Sequence, residues 1–83
     1  MEEQVVVIHG EPWKLADIRE DVAWCKEQVW SLTTYGKPVD HDHCSICWWS
    51  LAVSEDPDVG EGYFTEGNRW LCRECHGLFV ATA

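Results

Sequence analysis

The fold is decided by the stretch from Cys44 to Cys75, in which Cys44-Ser-Ile-Cys47 is followed, after 24 intervening residues, by Cys72-Arg-Glu-Cys75. A two-residue spacer lets both thiolates of a pair turn toward one point. Two such pairs supply the four soft ligands that tetrahedral zinc prefers. The sequence therefore predicts one structural Zn²⁺ held by Cys44, Cys47, Cys72 and Cys75. Because four thiolates close the coordination sphere, this metal is expected to stabilise the fold and not to catalyse.

The segment between the two pairs has the composition of a β-hairpin. It contains Pro57, Gly60 and Gly62, then an aromatic run at 63–64 and a Glu-Gly-Asn turn at 66–68. A short apolar segment at 78–81 follows the second pair. A knuckle, a hairpin and a helix whose first turn carries the last ligands is the order of a treble clef. Residues 41–83 resemble the treble-clef zinc fingers in this respect.

Length and cysteine count favour a metal over disulfides. A chain of 83 residues forms one domain and buries only about 60 to 65 per cent of the surface that its unfolded form exposes, so its fold needs a further stabilising link such as a metal. Five cysteines are an odd number, and the first residues do not form a secretory signal. No apolar run reaches the roughly 20 residues that span a bilayer. The expectation is a cytoplasmic protein without a membrane segment.

The charge counts against nucleic acid binding, a common role of small zinc fingers. The formal charge is −9, with six basic and fifteen acidic residues. Four bound thiolates and one Zn²⁺ would make it about −11. Nucleic acid binding requires clustered Lys and Arg, which this sequence lacks. We therefore expect no nucleic acid partner, and a protein partner with a basic surface.

The first 38 residues predict a strand or hairpin followed by one amphipathic helix. Residues 5–8 are a β-branched strand, and residues 13–15 could pair back on it after a turn at 10–12. A helix is predicted over 18–32, with a further possibility that it begins with Pro12 at its first position and removes the second strand. Residues at steps of three and four form its apolar face: Leu15, Ile18, Val22, Cys25, Val29 and Leu32.

The fold class that follows is a small α+β zinc-binding domain. The strand or hairpin and the helix (1–38) are expected to pack on the zinc finger (41–83), with residues 31–38 as a junction inside one domain, 1–83. Cys25 lies on the apolar face of the helix and is predicted to be a small core residue, not a ligand.

A cluster of histidines and carboxylates precedes the first knuckle at 40–43. It could bind a second metal, replace or support a cysteine ligand, or form a polar loop. His76, directly after Cys75, adds a third imidazole. Residues 71–76 resemble the LCxxCH segment of zinc-containing HNH endonucleases. That resemblance implies an alternative function, a divergent metal-dependent nuclease using His41, His43 and His76, although that family places its general-base histidine between the two cysteine pairs, where this chain has none.

Six tryptophans are more than so small a core can bury. They are Trp13, Trp24, Trp30, Trp48, Trp49 and Trp70. Trp48 and Trp49 are adjacent and should point to opposite sides, so at least one is expected to be exposed. Exposed Trp is enriched at binding hot spots. The sequence thus favours a non-enzymatic, zinc-stabilised protein–protein interaction module, such as a bacterial or phage adaptor or inhibitor, with an acidic, Trp-rich binding face.

Overall fold

The structure, a computed structural model, describes residues 4–81 as a small mixed helix and strand fold. The elements are β1 (Val5–Ile8), β2 (Glu11–Lys14), α1 (Leu15–Lys26), β3 (Ser31–Thr34), β4 (Asp42–His43), β5 (Ser50–Leu51), α2 (Pro57–Gly60), β6 (Glu61–Thr65), β7 (Arg69–Leu71) and α3 (Arg73–Cys75), which continues as a π-helical turn His76–Val80. The sheets are a hairpin β1-β2, a three-stranded sheet β3-β6-β7 and a short pair β4-β5, all antiparallel.

The predicted N-terminal hairpin is confirmed, but its turn lies earlier than expected. Ile8 pairs with Glu11, which leaves His9 and Gly10 as a two-residue loop. Both have positive φ, 49° and 78°, as a type I′ turn requires. Pro12 lies in β2 opposite Val7, so the alternative with Pro12 at a helix start is wrong.

The predicted helix over 18–32 is wrong at both ends. Helix α1 begins at Leu15 and ends at Lys26, and residues 31–34 form β3, which pairs with β6. Val29 and Leu32 are consequently 85% and 55% exposed, not core. Thr33 and Thr34 are β-branched and pair with β6 through the backbone. This pairing stabilises the strand more than the helical spacing of the apolar residues stabilises a helix, because local helix preference is easily overridden by tertiary contacts.

The predicted hairpin between the cysteine pairs is confirmed as β6 and β7. Thr65 pairs with Arg69 around the turn at 66–68, where Asn68 has a φ of 61°. Gly62 lies where a Cβ would come within 3.2 Å of the Leu71 carbonyl oxygen, so the strands approach closely there.

One buried cluster joins the N-terminal elements to the cysteines. Ile8, Ile18 and Cys25 pack with residues of both knuckles, which confirms that Cys25 is a core residue. The other buried members are Cys44, Ile46, Leu71, Cys72 and Cys75. A second, smaller cluster holds Tyr35, Leu51 and Trp70. Over residues 4–81 the helices are all too short or too polar to cross a bilayer.

Candidate metal centre

The structure brings together the four cysteines of the two predicted knuckles. The Sγ atoms of Cys44, Cys47, Cys72 and Cys75 all lie within 4.8 Å of one another. Three of these residues are buried and Cys47 is partly accessible. Across residues 4–81, this is the one group of three or more His, Cys, Asp or Glu side chains close enough to hold a metal ion. Cys25, the fifth cysteine, is outside the group.

Each cysteine pair lies in a tight backbone turn that aims both sulfurs inward. In the first, Trp48 N donates to Cys44 O at 3.1 Å and Ile46 N donates to Cys44 Sγ at 3.4 Å. In the second, Cys72 caps α3, and its Sγ accepts from Cys75 N at 3.4 Å. Backbone N–H groups that point at sulfur favour its thiolate form.

The β6-β7 hairpin sets one knuckle against the other. Cys44 forms a parallel bridge with Trp70. The carbonyl oxygen of Trp70 accepts from both the backbone N and the Oγ of Ser45, each at 2.9 Å. Cys72 follows Trp70 by two residues. The first knuckle is therefore held against the end of the strand that delivers the second.

Crowding of the four thiols makes their ionisation interdependent. Hydrogen bonds donated by the neighbouring thiols lower the pKa of Cys44. Hydrogen bonds donated to Cys44 and Cys47 raise the pKa of Cys72 and of Cys75 above the usual range for thiols. Cys47 Sγ and Cys72 Sγ are only 3.6 Å apart. A cation at the centre would let all four ionise together, because it offsets the repulsion between thiolates.

His9 contacts this cluster, a position that its sequence context did not indicate. Its Nε2 lies 3.4 Å from Cys72 Sγ, and its backbone N donates to Glu74 Oε2 at 2.6 Å. Its ring stacks on Trp49 with centroids 3.7 Å apart and planes 11° from parallel. In the tautomer that carries a proton on Nε2, this ring would donate to a sulfur of the cluster, the kind of outer contact that orients ligands and tunes metal affinity.

We predict that His9→Asn lowers zinc affinity by about tenfold or more, in line with losses of outer-shell contacts in other metal sites. Asn tolerates the positive φ of this turn position, so the hairpin should be kept. The measurement is competition for zinc with a chromophoric chelator. His41→Asn, at an exposed position outside the sulfur cluster, is the matched control. Equal zinc affinities for the two variants would show that the His9 contact does not tune the site.

The other three histidines do not join the sulfurs. His43 Nδ1 lies 3.0 Å from Trp48 O, and its ring is edge-on to His41 at 5.0 Å. His76 stacks on Tyr63 with centroids 3.5 Å apart, and burial lowers its pKa. Asp42, considered as support for the knuckle, instead accepts from Tyr35 Oη at 2.8 Å.

An aromatic cleft of about 440 Å³ opens beside Cys47. We call it the tryptophan cleft, and six of the residues that line it are His9, Glu11, Trp13, Cys47, Trp48 and Trp49. Trp49 is fixed by the His9 stack and by an Nε1 hydrogen bond to Asp58 O at 2.8 Å. Trp48 is 69% exposed, as expected for one of the two adjacent tryptophans.

The acidic segment at 54–62 forms specific contacts with its own backbone and with Arg73. Asp56 caps α2, with its Oδ1 accepting from Asp58 N at 3.0 Å. Glu61 lies 3.8 Å from Arg73. Asp56 and Glu61 therefore each have a structural contact.

Comparison with protein-family models, with curated proteins and with solved structures finds no match for this chain. The clustered thiols and the cleft beside them are therefore the features from which a function can be inferred.

Proposed function

We propose that the protein is a zinc-structured protein-binding module: Cys44, Cys47, Cys72 and Cys75 hold one Zn²⁺ in a treble-clef arrangement, and the tryptophan cleft beside them receives a partner protein. Four clustered sulfurs, inward-pointing backbone N–H groups and the absence of carboxylates from the set fit zinc better than harder cations. The order of knuckle, β6-β7 hairpin and α3 supports the treble clef.

The observation that carries the binding function is the conformation of Trp48. Its φ is 66°, a left-handed conformation that is costly for a bulky side chain and free of cost for Gly. Its indole is also mostly exposed, so the side chain regains little through burial. Strain kept at an exposed aromatic residue points to function, because stability alone would favour Gly there.

We predict that Trp48→Gly separates binding from stability. Relief of the left-handed conformation should leave the free energy of unfolding unchanged or raise it by about 1 kcal/mol. Loss of the indole should weaken partner binding by about 2 kcal/mol or more, roughly thirtyfold. The measurements are denaturant unfolding of the zinc-loaded protein, and quantitative pull-down from the native host followed by titration with the recovered partner.

Trp24→Ala is the matched control, because Trp24 is the other exposed tryptophan, at 37%, and packs under Arg69 away from the cleft. A partner retained equally by wild type and Trp48→Gly would contradict the proposal. Cleavage of plasmid DNA in magnesium that is lost in His43→Ala would also contradict it and would favour the nuclease alternative.

A further inference from the structure

We infer that the tryptophan cleft takes a cationic side chain, a lysine or methylated lysine of a basic segment in the partner protein. This inference rests on the proposed function, since it names the chemistry of the group that the cleft receives. It is carried by the composition of the walls, by the charge around them and by the rigidity of one indole.

The walls suit a cation. Trp13, Trp48 and Trp49 all line the cleft, and indole is the best side chain for attracting a cation to its ring face. His9 covers one ring face of Trp49, so the indole surface that lines the cleft comes from Trp13, Trp48 and the rest of the Trp49 ring. An apolar side chain would also fit such walls, so the charge decides between the two.

The charges around the cleft are negative. Glu11 lines it, and for residues 4–81 no Lys or Arg is among the lining residues. Cys47 lines it too, and four thiolates around one Zn²⁺ carry a net charge of about −2. The chain as a unit carries −9. A neutral side chain gains nothing from this field, whereas an ammonium group is attracted and steered toward the cleft.

The cleft is also partly preorganised. The Trp49 indole is held by its stack on His9 at 3.7 Å and by its hydrogen bond to Asp58 O at 2.8 Å. A ring fixed at both its face and its edge loses little rotamer freedom when a ligand arrives. Binding energy is then available even to a single side chain.

The test uses zinc-loaded full-length protein and three amino-acid probes that share one backbone and a four-carbon side chain. These are Nα-acetyl-lysine methylamide, its trimethylammonium derivative and Nα-acetyl-norleucine methylamide, which lacks the charge. Binding is followed by the NMR shifts of the indole N–H signals at constant ionic strength. We expect at least one lysine probe to bind about fivefold or more tighter than norleucine, with shifts at Trp13 and Trp48.

Two variants locate the charge effect. Glu11→Gln should weaken the preferred lysine probe about threefold and leave norleucine unchanged, whereas Glu55→Gln, on the acidic segment outside the cleft lining, should alter neither. Equal binding of the lysine and norleucine probes would overturn the inference and assign the cleft to an apolar side chain. Binding of free choline far tighter than either lysine probe would overturn it in favour of a small-molecule cation.

These outcomes are independent of the partner experiment. A cleft that fails to prefer cations, in a protein whose partner binding is still lost in Trp48→Gly, refutes the inference and leaves the proposed function standing. Loss of neither partner nor probe binding in Trp48→Gly refutes both.

Discussion

Removal of zinc is expected to unfold the protein well beyond the two knuckles. Structural zinc supplies on the order of 10 kcal/mol of folding free energy to small domains. The buried cluster here joins the cysteines to Ile8 of β1 and to Ile18 of α1. Loss of the metal should therefore abolish the near-UV circular dichroism of the tryptophans and also reduce the far-UV helical signal of α1. The measurement is a chelator titration followed by both signals. Zinc content is determined in parallel, and one ion per chain is expected before chelation.

Two cysteine variants sharpen this expectation. Cys72→Ser removes a buried sulfur of the cluster and should prevent folding in the presence of stoichiometric zinc. Cys25→Ala removes an equally buried sulfur outside the cluster and should cost about 1 to 2 kcal/mol, the cost of a small core truncation. Similar losses in the two variants would mean that the knuckle assignment is wrong. A purified protein free of zinc, with an intact near-UV spectrum in strong chelator, would refute the metal site.

The second large effect is expected from Gly60→Ala. A Cβ at this position would overlap the carbonyl oxygen of Ser54 and lie 3.2 Å from its carbonyl carbon. Both are backbone atoms, so no side-chain rotation relieves the clash. Gly60 N also donates to Asp56 O at 2.8 Å, and Tyr35 N donates to Gly60 O at 2.8 Å. Any shift would strain these hydrogen bonds, and we expect a loss of about 3 kcal/mol in the free energy of unfolding.

Gly67→Ala is the matched control, because a Cβ there meets nothing within 4 Å. It should change stability by no more than about 0.5 kcal/mol, as is usual for surface substitutions. Urea unfolding of both variants in excess zinc compares them directly. A Gly60→Ala protein as stable as Gly67→Ala would show that the segment from 54 to 60 packs differently from the structure.

The parts of the molecule that could be predicted from sequence are those in which local chemistry and tertiary structure agree. The CxxC spacing directs two thiols to one point in almost any fold, so the clustering of four sulfurs follows from it. The turn at 66–68 separates two strands for the same reason, since Asn68 accepts the left-handed conformation that the turn requires. The prediction that Cys25 is a core residue is confirmed, because Cys25 lies within α1, where the apolar spacing of three and four residues does form one buried face.

The errors lie where distant residues decide. Val29 and Leu32 continue the helical spacing, yet residues 31–34 pair with β6 as a strand. The residues next to this segment in the sequence give no indication of that pairing. His9 gave no signal of a role near the metal, because its partners Cys72 and Glu74 are more than 60 residues away. The turn predicted at 10–12 left His9 outside it, and no local pattern indicates which distant residues a turn will contact.

The contact between His9 and Glu74 spans 65 residues and can be considered as the closure of a polymer loop. Once the two knuckles are joined by a metal, the shortest path along the chain from residue 9 to residue 74 is roughly halved. Halving a flexible loop lowers its closure entropy cost by only about 0.6 kcal/mol. The N-terminal hairpin therefore docks mainly through contacts with the joined knuckles, which are the burial of Ile8 and the stack of His9 on Trp49. The shorter chain path contributes little to its docking.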